Sequence, residues 1–398
     1  MTRTNRSWRD WLWPRGAHVP AQAPEHKQSR AGALVALSLT GRPVWTPRDF
    51  ERMTQAGFAR NAVAYRCVRM IAETAASVPW LLFDGRTELS EHPLLRLLDR
   101  PNPAESGSSL MEAWYGHLQT AGNAYLEAAT ISGEVRELYA LRPDRMKVMP
   151  GPAGWPQGFE YTVGGQTARF RADSDGFMPI LHMKLFNPLN DHYGMSPAEA
   201  ASTAIDTHNA GADWNKALLD NGARPSGALI YRGAKDSPNL SDQQFERLKE
   251  ELEAQFQGAR NAGRPLLLEG GLEWQSLSHS PQELDLSGVR YAAAREIALA
   301  FGVPPMLLGI PGDATYNNYR EANLAFWRQT ALPLVAKTAQ ALTNWLRPRF
   351  GSTLRLAYDT DAVEALSAER DALWDRVGRA EFLTTDEKRS ATGYGSLI

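Results

Sequence analysis

The chain is poor in the residues that would build most kinds of chemical site. It has one cysteine, Cys67, in 398 residues, so neither an internal disulfide framework nor a Cys-rich zinc site is possible. That suits a reducing compartment. No apolar run approaches the roughly 18 residues of a membrane span. The stretch from Trp8 to Trp13 is broken by Arg9 and Asp10 and does not read as a secretory signal. A basic excess is also missing: Lys+Arg is 43, Asp+Glu is 45, and the net charge is −2. Tight binding to nucleic acid needs cations to neutralise phosphates. This balance excludes a tight grip on DNA, though not a surface along which DNA slides.

Catalytic motifs are missing too. Residues 258–263 have the glycine spacing of a phosphate loop, but Arg264 and Pro265 stand where a lysine and a hydroxyl are needed. There is no His-Glu-x-x-His helix and no Gly-x-Ser-x-Gly elbow. The eight histidines are scattered. Asp191-His192 could supply two metal ligands, and two ligands make no site. Carboxylates crowd residues 242–253, but Arg247 and Lys249 interleave them as on a solvated helix face. Phe326, Trp327 and Trp345 fit helix packing better than base stacking. No catalytic residue, metal or cofactor is expected.

What is present is 43% hydrophobic and 22% charged residues, the balance of a folded protein too long for one compact core. Residues 1–30 carry six cations against two anions, a net of +4, and residues 20–29 read as a flexible arm. Trp8, Trp11 and Leu12 share one helical face there. They suit either a membrane-surface or nucleic-acid helix, or, more plainly, an arm docking on a neighbouring subunit. Thr46-Pro47 reads as a helix start. Cys67, Met70, Ile71, Thr74 and Val78 predict a helix over 62–78, followed by a strand at 80–83.

Residues 111–185 read as β-rich, with strands at 123–127, 135–141, 159–163 and 180–185. The capping box Ser196-Pro197-Ala198-Glu199 opens a helix predicted to reach Leu219 and stop at Asn221-Gly222. Next comes a small insert. It comprises a strand at 228–232, a helix capped by Ser241 with Phe245, Leu248, Leu252 and Phe256 on one face, and strands at 265–269 and 272–277. A second long helix spans about 283–301. A loop follows over 309–318, and then a third long helix, kinked at Pro333 and ended by Pro348. Residues 354–358 predict a strand, and Thr384-Thr385-Asp386-Glu387 caps a last short helix.

Several segments, in their order and spacing, resemble one known family. They include Ala64-Tyr65-Arg66-Cys67-Val68-Arg69-Met70-Ile71-Ala72-Glu73, Arg100-Pro101-Asn102-Pro103, Gly122-Asn123-Ala124-Tyr125, Leu141-Arg142-Pro143-Asp144-Arg145, Tyr193-Gly194-Met195-Ser196-Pro197 and Ile297-Ala298-Leu299-Ala300-Phe301-Gly302-Val303-Pro304-Pro305. On these the chain, over about 40–396, resembles the HK97-type portal proteins of tailed phages. Its compactness fits portals of small phages and of gene transfer agents.

The resemblance implies an α+β portal fold: a β-rich wing, two stem helices flanking a small strand–helix–strand clip, a tunnel loop with a long helix, and a short helical crown. It maps onto this chain as a flexible basic arm at 1–40, wing at 41–195, stem helix 1 at 196–222, clip at 223–282 and stem helix 2 at 283–303. Tunnel loop, long helix and the rest of the wing take 304–360, and crown takes 361–398. It implies a twelve-subunit ring at one vertex of a virion or phage-like particle, assembled in the bacterial cytoplasm. Implied partners are double-stranded DNA, the terminase large subunit, a head–tail adaptor and the major capsid protein. The DNA channel would fall on Gly312, Asp313, Ala314, Thr315, Tyr316, Asn317 and Asn318. Terminase and adaptor docking would fall on Phe245, Leu248, Leu252 and Phe256. The alternative reading is a soluble hydrolase-type enzyme with a dispersed active site. A peripheral membrane protein anchored by Trp8 and Trp11 is a third.

Overall fold

The computed structural model describes residues 45–46, 50–152, 154–220, 227–232, 241–256, 272–276, 285–312 and 316–394. The expected arm, the 258–263 glycines, the 265–269 strand and the Asn221-Gly222 stop lie outside them. A short helix α1 (Phe50–Met53) runs through a π-helical turn to Asn61. Residues 47–49, where the expected helix after Thr46 would begin, lie outside the described residues, and the Thr46 hydroxyl donates to Asp206 at 2.5 Å. Asn61 caps α2 (Ala62–Ala76), whose stripe buries Cys67 and Ile71 fully and Met70 and Thr74 in part. Burial pushes the Cys67 thiol up to about 12, so it is an inert core residue.

β1 (Trp80–Asp84) and β2 (Thr87–Glu88) precede α3 (Pro93–Asp99) and α4 (Gly107–Ala121). The last corrects the strand-rich reading of 111–121. Gly116 and Thr120 look like punctuation, but Leu110, Met111, Trp114, Tyr115 and Leu118 recur at helical spacing and all bury. The strands β3 (Asn123–Ile131), β4 (Glu134–Leu141), β5 (Met146–Pro150), β6 (Pro156–Val163), β7 (Gln166–Arg171) and β8 (Ile180–Lys184) form two antiparallel sheets, ordered β4-β3-β8 and β5-β6-β7. β3 buries residues on both faces, because the helical core covers one side and the β5–β7 sheet the other.

The helix after Ser196 is split at Ala201 into α5 (Pro197–Ala200) and α6 (Ser202–Asp220), with the Ser196 hydroxyl accepting the Glu199 N–H at 3.0 Å. β9 (Gly227–Tyr231), α7 (Asp242–Phe256) and β10 (Leu272–Ser276) follow. The described residues divide into two units, one holding β9, α7 and most of β10, the other everything else.

α8 (Leu286–Phe301) starts three residues later than expected, because Asp285 takes a left-handed conformation and caps Gly288 N at 3.1 Å. α9 (Tyr316–Phe326) and α10 (Leu332–Phe350) are joined by a π-helical turn, Trp327–Ala331. Pro333 lacks an N–H and crowds the carbonyl four residues back, which places the irregularity just upstream of it. Pro348 does not end α10. It sits in the last turn, where it forfeits a single backbone bond, and the helix stops at Gly351.

β11 (Leu354–Tyr358) pairs antiparallel with β1 in the order β11-β1-β2. α11 (Ser367–Gly378), which was not expected, and α12 (Thr385–Ala391) complete the chain. The main core joins α2, α4, β3 and α10, and there the Trp114 indole donates to Thr338 at 3.2 Å.

Candidate functional site

The family-like segments meet in space, and what they build are backbone joints. Asn102 accepts the N–H groups of Ala104 and Glu105, each at 2.9 Å, and donates to the Leu138 carbonyl at 3.0 Å, which locks the α3–α4 connection onto β4. Asn123 accepts Gly194 N–H at 2.8 Å, meets His182 Nε2 at 3.0 Å, and donates to Ala121 O at 2.8 Å. Gly122 has φ 69°, and any Cβ on Gly194 would collide with the Gly122 carbonyl. The two strands of chain therefore pass so closely that only glycines fit. Val148 N–H donates to the Tyr193 hydroxyl at 2.9 Å, tying the second sheet to the same joint. Arg142 grips Asp144 with two bonds, at 3.0 and 2.8 Å. Asn61 caps α2 with its oxygen while its amide donates to Asn209 at 3.0 Å and meets His208 at 3.2 Å on α6.

None of these groups is arranged as a nucleophile with a base, or as an acid–base pair. Burial pushes His182 down to about 3 and His117 down to about 4, so both are neutral. Among the described residues no cluster of His, Cys, Asp and Glu could hold a metal ion, and no helix is long and apolar enough to cross a membrane.

The expected channel segment follows α8. Gly302, at φ 68°, ends that helix, and the Thr330 hydroxyl donates to its carbonyl at 2.6 Å. Pro305–Leu308 then form one 3-10 turn, and Ile310 N–H closes onto Pro305 O at 3.2 Å. Arg295 on α8 donates to the Pro311 carbonyl and tethers the exposed end at Gly312. Asp313, Ala314 and Thr315 lie outside the described residues.

Tyr316, Asn317 and Asn318 correct the sequence reading. They form the first turn of α9, not the end of a loop. From Tyr316 to Ala325 there is neither Gly nor Pro, and asparagine is tolerated in a first turn, so the helix starts there. The described irregular residues before α9 are therefore 309–312.

In the insert, β9 pairs with β10, and Arg232 bridges to Glu273 at 2.8 Å. Ser241 and Gln244 form the expected capping box, with bonds of 3.0 and 3.3 Å. Of the expected docking face on α7, Phe245 is 49% exposed and Leu248 is half-buried. Leu252 and Phe256 lie on the same helix, with side chains outside the described set.

The profile of the phage portal protein family matches residues 62–393. A chain in the solved neck of an empty GTA (gene transfer agent) particle, computed with C6 symmetry, is 51% identical. The match covers 90% of this chain and 96% of that one, with a TM-score of 0.71. A chain in the neck of a native GTA particle, computed with C12 symmetry, is 50% identical with the same coverage and a TM-score of 0.68. The portal protein of Enterobacteria phage HK97 is 26% identical over 340 residues, which span 82% of this chain and 77% of that protein. With a mixed helix-and-sheet fold like theirs, and a family match across most of its length, this chain belongs to the phage portal protein family.

Proposed function

We propose that the chain is the portal subunit at the neck of a gene-transfer-agent-like or phage particle. Twelve copies close into a ring whose bore passes double-stranded DNA. The observation that carries this reading is the surface of the α6–α8 pair. These helices pack on each other, yet Trp214 and Leu219 on α6, and Val289, Tyr291 and Leu299 on α8, stay exposed, Leu299 at 79%. Large apolar side chains left exposed on a packed helix pair belong against another surface. In a ring with rotational symmetry, the outer face of one copy's α8 meets the outer face of the next copy's α6. The C12 symmetry of the similar neck supports the number twelve.

On this reading the wing is 41–195, the stem helices are 196–222 and 283–303, and the clip is 223–282. The channel segment, long helix and remaining wing fall in 304–360, and the crown in 361–398. The clip, through Phe245 and its neighbours on α7, would dock the terminase large subunit and later the head–tail adaptor. The wing would face the major capsid protein. The chain itself would be no enzyme, since its signature residues are spent on backbone joints, and energy for DNA movement would come from the terminase. A net charge of −2 suits a bore that touches DNA without holding it.

The channel assignment is tested by a single cysteine, Thr315→Cys, in assembled rings. It should label several-fold more slowly than a cysteine on the outer surface and should crosslink to packaged DNA. Labelling at the outer-surface rate with no DNA crosslink would remove residues 309–315 from the channel.

A further inference from the structure

α11 and α12 form a hairpin held to the body by Arg328–Glu369 and by Arg370 donating to Asp361 O at 2.5 Å. Between the two helices lies a groove of about 390 Å³. Val377 is buried beneath it, and Trp374 and Tyr394, 40% and 45% exposed, flank it with ring centroids 6.1 Å apart. Lys388 lines one side. Its ammonium donates to the Gly378 carbonyl at 3.0 Å and has no carboxylate partner among the described residues. At the hairpin turn Phe382 is 86% exposed, and the neighbouring Glu381 carboxylate likewise has no ion-pair partner among the described residues.

One copy thus carries an apolar knob beside an anion, and an apolar groove beside a cation, neither of which has an opposite charge as partner among the described residues. Phe382 is not among the groove's lining residues, so it does not fill the groove of its own copy. The two features are both apolar and carry opposite charges. A rotationally symmetric ring has heterologous interfaces, in which a knob on one copy can meet a groove on the next.

We propose that this hairpin is an inter-subunit clasp, in which Glu381 and Phe382 of one copy seat in the Trp374–Tyr394 groove of the next, with Glu381 facing Lys388. The proposal rests on the ring reading above. It assigns the crown hairpin a part in closing the ring rather than in binding DNA or a tail component.

The test uses the full chain with Phe382→Cys and Thr392→Cys together, purified as rings and oxidised. Cys67 is fully buried and stays silent. A denaturing gel should show a ladder of covalently linked chains, absent from either single variant. In a second arm, Glu381→Lys should raise the concentration needed for half-assembly about ten-fold. Adding Lys388→Glu to it should restore assembly to within about three-fold of the unmodified chain. Rings that form normally, give no ladder and ignore Glu381→Lys would overturn the clasp and leave the ring reading intact. An unmodified chain that never forms rings would overturn the reading beneath it.

Discussion

Lowering the pH from 8 to 5 should weaken the joint around His182. The imidazole stacks on Tyr125 with centroids 4.3 Å apart, and its Nε2 lies 3.0 Å from Asn123 Oδ1. That oxygen already accepts the Gly194 N–H, so the neutral ring donates to it from Nε2. Burial first, and the Lys184 charge second, push His182 from the usual 6.5 down to about 3. The folded chain thus keeps the ring neutral where the unfolded chain protonates it. Unfolding takes up a proton between about pH 6.5 and 3, so stability is full above this window and falls as the pH drops through it. At pH 5 the linkage amounts to about 1.5 pH units, or about 2 kcal/mol. His117, pushed down to about 4 by burial, adds a loss of similar size. Urea unfolding at the two pH values would compare the wild-type chain with His182→Gln, which keeps a donor for Asn123. The wild type should lose about 2 kcal/mol more than the variant. Equal losses would refute the view that the fold holds this ring neutral.

Gly194→Ala should lower stability by at least about 3 kcal/mol, because the new Cβ meets the Gly122 carbonyl and lies 2.7 Å from the Leu185 nitrogen. A urea midpoint equal to wild type would show that the strands can separate there without loss. Deleting residues 224–278 should abolish ring assembly, since two short strands and one helix are too little to bury their own core and must share a sheet with a neighbouring copy. Full rings from the deleted chain, seen in negative stain, would refute that sharing.

Local pattern made much of this fold legible. β11 appears residue for residue where the apolar alternation of 354–358 placed it. The boxes at Ser241 and Thr384 have the bonds their spacing implies. Pattern failed where two signals competed. In α4 the glycine and threonine obscured a helical stripe, and after Pro311 two asparagines suggested a loop where a helix begins. α11 escaped notice because Val377 is its one fully buried residue, which leaves almost no stripe to read. The joints at Asn61, Asn102 and Asn123 could not be derived locally. Asn61 meets His208 across 147 residues, and Asn123 meets Gly194 across 71. Nothing near an asparagine in sequence says which distant backbone it will satisfy. The one cue was that Asn102 and Asn123 sit inside the family-like segments.

Native mass spectrometry of the purified full chain, with negative-stain images of the same sample, tests the portal reading most directly. A portal subunit gives a species about twelve times the 44.1 kDa chain mass, seen end-on as a hollow ring. A chain that remains a monomer or stops at a small closed oligomer with no central opening, under conditions where it is folded, would contradict it.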